Sequence, residues 1–329
     1  MIINNIMITV LMSTFNNAEY LSSSIKSILN QSFKNFEFLI IDDGSTDNSS
    51  DIIKSLNDYR IRYIKKQTTG LADSLNYGLR IAKYDLIARM DADDIALPYR
   101  IEYQLNYLSE HPNIDILSSW YAIFSGEKID YFVHSPVDDY KIKKGLALYS
   151  HISHPSVIYQ KKIILDVNGY REKVFEDYEL WLRLMGKAIF GNVPKVLLFQ
   201  RYRKDSLSRN DIAAKYLVHY KIQEPYYSNK FRQFFLISSL REEYAIRGWR
   251  EYFWGTEKKA LRYWLKDWRI FLHDYRTIIA SIMVLLNGKL LVWFKENRIR
   301  YRIKFFVSSF SKETRVIKNE FMTLRKNLC

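Results

Sequence analysis

The chain holds one cysteine in 329 residues, Cys329, at the last position. No intrachain disulfide can form, which fits a reducing compartment. No Lys or Arg precedes Lys26, and no small-residue cleavage site follows the first apolar run. The sequence therefore reads as lacking a secretory leader. It has no Cys/His pattern with zinc spacing, no Walker loop and no G-x-G-x-x-G loop. Internal repeats, low-complexity tracts and Pro/Gly/Ser-rich linkers are also missing. A convincing membrane span is absent too. The longest apolar stretch, "TIIASIMVLLNGKLLVWF" (277–294), carries Asn287, Gly288 and Lys289 inside it. A spanning helix needs about 20 mainly apolar residues, and a central lysine costs about 2.5–3.5 kcal/mol. An interfacial or buried helix fits this stretch better.

What is present is a large apolar fraction, 48% hydrophobic and 16% aromatic residues, enough for one large domain or two smaller ones. Charge is unevenly spread. Residues 1–210 hold 26 Lys and Arg against 25 Asp and Glu, whereas 211–329 hold 24 against 11 and five of the seven tryptophans. We place a boundary near Asn210, between domain 1–210 and a basic, aromatic, mostly helical region 211–329. Such an excess suits an anionic partner: a membrane surface, or nucleic acid, for which no accompanying motif is found. The run "RIRYRIKFF" (298–306) alternates basic and apolar residues, as a strand does.

The first half alternates strand and helix signals. Short β-branched or apolar runs at 6–13, 36–42, 61–66 and 84–90 read as strands. Between them, 17–31 has one apolar helix face (Leu21, Ile25, Ile28, Leu29), "DNSSDIIKSL" follows a turn, and Gly70 opens "LADSLNYGLRIAK". Pro98 suits the first turn of a helix running to about Ser109. Further on, strands are expected at 114–124, 154–160 and 195–203, and helices at 138–148 and 175–186. This is an α/β pattern with a parallel sheet and helices on both faces. Ligands of such sheets bind outside the carboxyl ends of the strands.

Three acidic clusters fall at such places. "DADD" puts Asp91, Asp93 and Asp94 at the end of "YDLIARM". Alternate residues of extended chain share a face, so Asp91 and Asp93 point together and Ala92 away. Carboxylates held this close repel unless a cation neutralises them, and hard oxygen ligands select Mg²⁺ or Mn²⁺. "IDDGSTD" ends another strand with Asp42 and Asp43. "FEDYELW" sets Glu176 and Asp177 at a helix start, where the helix dipole favours anions and where a general base could also stand. Each cluster alone is equally explained by turns and caps.

In order and spacing, the three resemble glycosyltransferase family 2 over roughly residues 6–205. "VLMSTFNNAEYLSSSIKSILNQSFKNFEFLIIDDGSTDNS" is similar to the family's nucleotide-binding segment, "GLADSLNYGLRIAKYDLIARMDADD" to the segment ending in D-x-D, and "SHPSVIY" with "NGYREKVFEDYELWLRL" to the acceptor segment. The resemblance implies a Rossmann-like GT-A domain. It implies transfer, with inversion, of a sugar from a nucleotide diphosphate, most readily a UDP-sugar, to an acceptor hydroxyl. Carried over, Thr14 and Asp42 contact the base, with Asp43 and Arg89 also on the donor side. Asp91 lies near ribose or metal, and Asp93 binds Mn²⁺ or Mg²⁺. Asp177 is the base with Glu176 beside it, and His154 meets acceptor or diphosphate; in "QRYRKDS" either Arg201 or Arg203 offers a cation to acceptor or diphosphate. The role of Asp94 is left open. The chain departs from the family at Ser13 and Phe15, where Pro and Tyr are usual. "QRYRKDS" (200–206) lacks the Trp of the processive Q-x-x-R-W signature, so one sugar per binding event is expected. The implied acceptor is a surface glycan such as lipopolysaccharide, O-antigen or capsule, or its lipid-linked precursor. The implied location is the inner face of the cytoplasmic membrane, reached through 211–329, with no nucleic-acid partner. A non-catalytic, membrane-associated nucleotide-binding protein of this fold and a nucleotidyltransferase are the competing readings; "VLMSTFNN" has neither the Gly nor the Lys that the latter needs over a triphosphate.

Overall fold

The computed structural model describes residues 6–172, 174–203, 212–227, 231–254, 257–274, 277–278, 280–281 and 311–328. The first half folds as alternating elements: β1 (Ile8–Thr14), α1 (Ala18–Leu29), β2 (Phe36–Asp42), α2 (Ser49–Ser55), β3 (Ile61–Lys65), α3 (Leu71–Ile81) and β4 (Leu86–Asp91). Every residue of β1 and β2 is buried, as a strand covered on both faces must be. β1 pairs parallel with β2 and β4, and β2 pairs parallel with β3.

Alternate side chains of these strands serve opposite layers. Val10, Met12 and Ile40 join a core with Leu21, Ile25 and Ile28 of α1, Ile53 of α2 and Ile101 and Leu105 of α4 (Arg100–Glu110). Leu11 and Ile41 turn to the other face. There α3 lies so close that a Cβ on Gly78 would stand 2.4 Å from Leu11 Cδ1. Only glycine permits this approach.

Beyond β4 the sheet is mixed, not parallel throughout as the sequence pattern suggests. β5 (Ile95–Ala96), β6 (Ile116–Ser125), β7 (Lys128–Val133), β8 (Ile158–Gln160) and β9 (Phe190–Arg201) complete the order β3-β2-β1-β4-β8-β6-β9-β5, with β7 on β6. β8 is antiparallel to both β4 and β6. Antiparallel pairing needs no helical crossover, so three residues bridge the two halves of the sheet. β6 and β7 form a hairpin closed at Ser125–Lys128, with Gly126 at φ +52°. β6 pairs parallel with β9, but the register breaks where Ser119 faces Val193 and Trp120 faces Val196. Pro194 lies in the gap and has no N–H for the ladder. Pro98 precedes α4, whose cap is Tyr99, and so stands outside the helix. The remaining helices here are α5 (Asp139–Gly145), α6 (Lys161–Leu165) and α7 (Glu176–Leu184).

The chain divides into two compact units: Met1–Ile142 with His151–Arg203 and Val307–Cys329, and Lys143–Ser150 with Lys204–Phe306. The second contains α8 (Ile212–Gln223), α9 (Phe231–Phe234), α10 (Leu240–Trp254), α11 (Glu257–Trp264) and α12 (Arg269–His273). Its small core is Ala260, Trp264, Ile270 and Ala280. The single region 211–329 read from sequence is thus divided. The C-terminal helix, Ser311–Leu328, belongs with the first unit because its apolar face is buried there. Phe321 packs at 5.0 Å from Phe124 and 4.7 Å from Phe199, and Lys26 Nζ donates to the Leu328 carbonyl at 3.1 Å. Among the described residues no helix is long and apolar enough to cross a membrane. Most of 277–294, all of 298–306 and the boundary at Asn210 lie outside the described residues.

Candidate active site

The strand register brings the first acidic residues level with one another. Thr14 pairs with Asp42, and Ser13 with Asp91, at the carboxyl ends of β1, β2 and β4. Thr14 is buried, and its Oγ1 has no hydrogen-bond partner among the described residues. Asp42 is fully buried. It accepts from Ser45 N (2.8 Å), Ser50 Oγ (3.1 Å) and Tyr63 OH (2.7 Å). Burial by itself would raise its pKa; the hydrogen bonds outweigh burial and hold it below the ordinary range. Asp43 accepts from Lys66 Nζ (2.5 Å), Thr69 N (3.0 Å), Gly70 N (2.8 Å) and Ser74 Oγ (2.8 Å). These donors likewise overcome burial and lower its pKa. Asp43 therefore fastens the start of α3, and four protein donors already fill the carboxylate placed on the donor side from sequence.

The D-x-D turn is held from three directions. Ser24 Oγ donates to the Asp91 carbonyl (2.8 Å), Arg201 Nε to the Asp93 carbonyl (2.8 Å), and Arg201 N to Asp94 Oδ1 (2.8 Å). Ala92 is buried in the core, so the neighbouring carboxylates point the other way. One oxygen each of Asp91, Asp93 and Asp94 lies within 4.8 Å of the others. Burial pushes the Asp93 carboxyl up to about 6, with the Asp91 charge adding and Arg203 opposing. Burial and then the charges of Asp93 and Asp91 push Asp94 well above its ordinary range. Asp94 Oδ2 has no partner among the described residues. Three converging carboxylates, one of them buried with an unpartnered oxygen, suit a hard divalent cation. Arg203 Nη1 stands 3.5 Å from Asp93 Oδ2 and donates to Asn17 Oδ1 at 2.6 Å.

The third cluster begins α7. Phe175, its N-cap, is left-handed at φ +59°, an uncommon state for a bulky residue and a local strain. Glu176 and Asp177 follow. Burial, then repulsion from Asp177, raises Glu176 to about 8. Burial raises Asp177 to about 6, against a backbone hydrogen bond from Tyr178 and the Arg89 charge. His154 lies behind Glu176, with Nδ1 3.6 Å from Glu176 Oε1 and Nε2 3.0 Å from Tyr170 OH. Tyr170 OH also meets Tyr159 OH at 3.1 Å. Burial and the Arg89 charge hold His154 well below its ordinary range, so it is neutral.

Arg89 joins the halves. Its guanidinium is fully buried and pairs with Asp91 through Nη1, while Nε and Nη2 have no hydrogen-bond partner among the described residues. It acts electrostatically on Glu176 and Asp177 as well as on Asp91. The D-x-D turn and the Glu–Asp pair therefore share one electrostatic environment within the first unit.

A family model, "Glycosyl transferase family 2", matches residues 9–166. The O-antigen biosynthesis glycosyltransferase WbnJ of Escherichia coli is 31% identical over 232 residues, 66% of this chain and 88% of that protein. The chain belongs to glycosyltransferase family 2. Another relative, the UDP-Gal:alpha-D-GlcNAc-diphosphoundecaprenol beta-1,3-galactosyltransferase of Escherichia coli, is 31% identical over 207 residues, 58% of this chain and 71% of that one. Among solved structures, the mannosyltransferase PcManGT of Pyrobaculum calidifontis in complex with GDP-Man and Mn2+ matches with a TM-score of 0.56. It is 13% identical and covers 98% of this chain and 86% of that one. The fold is GT-A, and the protein is a glycosyltransferase.

Several residues of the transferase's site escape a sequence reading. Arg100 is buried behind Arg89 and donates to its carbonyl at 2.7 Å. Burial lowers Arg100 to about 9, with Asp94 opposing that shift. Tyr63 supports Asp42, and Tyr170 supports His154. None has a local signal, because each acts through a partner distant in the chain. Hairpin β6–β7 did have one, in the "SGEK" turn between two aromatic, β-branched runs.

Proposed function

We propose that the transferase moves a sugar, with inversion, from a nucleotide diphosphate donor to an acceptor hydroxyl during surface-glycan synthesis, and that it needs a divalent metal. The observation that carries this reading is the convergence of Asp91, Asp93 and Asp94 in one unit with the Glu176–Asp177 pair, under the common field of Arg89. Asp93, Asp91 and the open Oδ2 of Asp94 would hold Mn²⁺ or Mg²⁺, which when bound offsets the charge that grows on the departing diphosphate. Arg203 adds a positive charge beside Asp93. Thr14 offers a hydroxyl to the base, while Asp42 shapes that pocket through Ser45, Ser50 and Tyr63.

Asp177 accepts the proton of the attacking hydroxyl. With its pKa near 6 it is ionised at pH 7, whereas Glu176, near 8, is mostly protonated there. A single base opposite the leaving group gives inversion. A UDP-sugar donor and an acceptor carried on a lipid diphosphate are supported by the name of the galactosyltransferase relative. Such an acceptor would bring the enzyme to the inner face of the cytoplasmic membrane.

The test is a screen of UDP- and GDP-sugars for hydrolysis or transfer with Mn²⁺ and with EDTA, reading the product anomer by NMR. Turnover that survives EDTA, or both Asp93→Ala and Asp177→Ala, would sink the proposal.

A further inference from the structure

We infer that the turn between α11 and α12 docks on an anionic lipid bilayer, inserting Leu265 and Trp268 at the headgroup level. Among large apolar and aromatic side chains of the described residues, only Tyr59 (94%) is more exposed than Trp268 (65%) and Leu265 (63%). These two sit within one four-residue turn. Its geometry is fixed from inside, because Trp264 and Ile270 on either side are buried in the core of the second unit. α11 packs closely on α10: a Cβ on Gly248 would lie 2.1 Å from Trp264 Nε1. The turn therefore presents its apolar side chains on a rigid base.

The surroundings match the charge of such a surface. Lys259 and Arg262 are exposed three residues apart on α11, and Lys266 is exposed in the turn that follows it. Residues 257–273 contain five basic and two acidic residues. One acid, Asp267, is engaged by Arg269 at 2.8 Å and by Arg241 at 3.3 Å, so it does not oppose an anionic surface. A tryptophan beside a leucine, rimmed by lysine and arginine, is the chemistry of an interfacial anchor. Tryptophan has an apolar body and an N–H that prefers the wet side of the boundary. Nucleic acid would use the cations and could stack on Trp268, but it gives Leu265 nothing to enter.

The use of this surface, to meet a lipid-carried acceptor, rests on the reading above; the surface itself does not. The experiment is co-sedimentation of the full chain with phosphatidylcholine vesicles, with and without phosphatidylglycerol. The wild type should bind the phosphatidylglycerol vesicles. Leu265→Ser with Trp268→Ser should weaken binding about tenfold or more. Lys259→Glu with Arg262→Glu should abolish the preference for anionic lipid. Both variants should keep the thermal midpoint and the rate of nucleotide-sugar hydrolysis. Wild-type vesicle binding by the Leu265/Trp268 variant would overturn the proposal. So would a wild type that ignores vesicles, self-associates through this turn, or prefers an RNA oligonucleotide. Turn-dependent vesicle binding in a chain that turns over no nucleotide sugar would leave this inference standing and remove the transfer reading alone.

Discussion

The backbone N–H of Arg201 donates to Asp94 Oδ1 at 2.8 Å, tying the last residue of β9 to a turn 107 residues earlier. The same arginine donates through Nε to the Asp93 carbonyl. Asp94, whose role the sequence left open, is therefore at least a brace. Asp94→Ala would leave a buried N–H unpaired and should cost about 1–3 kcal/mol in urea denaturation. Asp94→Asn keeps the accepting oxygen and should cost less than half as much. If Oδ2 is a metal ligand, the Asn variant should still raise the Mn²⁺ concentration needed for half-maximal activity.

The Glu176–Asp177 pair makes a pH prediction. A base must be ionised, so activity is lost as pH falls through its pKa. With Asp177 near 6, the acid limb of kcat/KM should bend near pH 6. A bend near pH 8 would assign the proton to Glu176 instead. Asp177→Asn should lower kcat by about 100-fold or more, with donor KM little changed.

Asp93 has a folded pKa near 6, raised above the ordinary 3.8. Its protonated form is the one the metal-free fold prefers. That stability is complete below about pH 4 and is lost as pH rises through about 6. At pH 8 the ionised carboxylate is a cost. Asp93→Asn should therefore stabilise the metal-free protein at pH 8, by about 1–2 kcal/mol, while removing the stabilisation that Mn²⁺ confers on the wild type. Differential scanning calorimetry with and without Mn²⁺ reads both effects.

Phe321 is buried against Phe124 and Phe199. Phe321→Ala should destabilise the first unit by about 3–5 kcal/mol, measured by urea denaturation. A variant as stable as the wild type would mean that the C-terminal helix does not belong to that unit.

The position of the strand-end aspartates was legible because they follow apolar runs whose periodicity is local. β1, β2, β4 and α7 lie within a few residues of the expected positions; Ala92 joins the core, but β4 ends at Asp91, and Asp93 stands in the turn that follows rather than in extended chain. Other assignments needed partners that no local pattern reveals. Asp43 looks as available as Asp42 in "IDDGS", yet Lys66, Thr69, Gly70 and Ser74 consume it. Arg89 and His154 look like ligand-binding residues in the chain. In the fold one is buried beneath Asp91 and the other lies neutral behind Glu176.

By itself the sequence determined the alternation of elements, the sheet edge at which the acids gather, and the family signature they form. These depend on side-chain period and on residues close in the chain. Only the tertiary structure decided what surrounds each acid. It set the reversal at β8, the return of Ser311–Leu328 to the first unit, and the buried Arg89 between two acidic clusters. Burial and hydrogen-bond saturation depend on which distant residues pack around a carboxylate, and they set both its charge and whether an oxygen remains for a ligand.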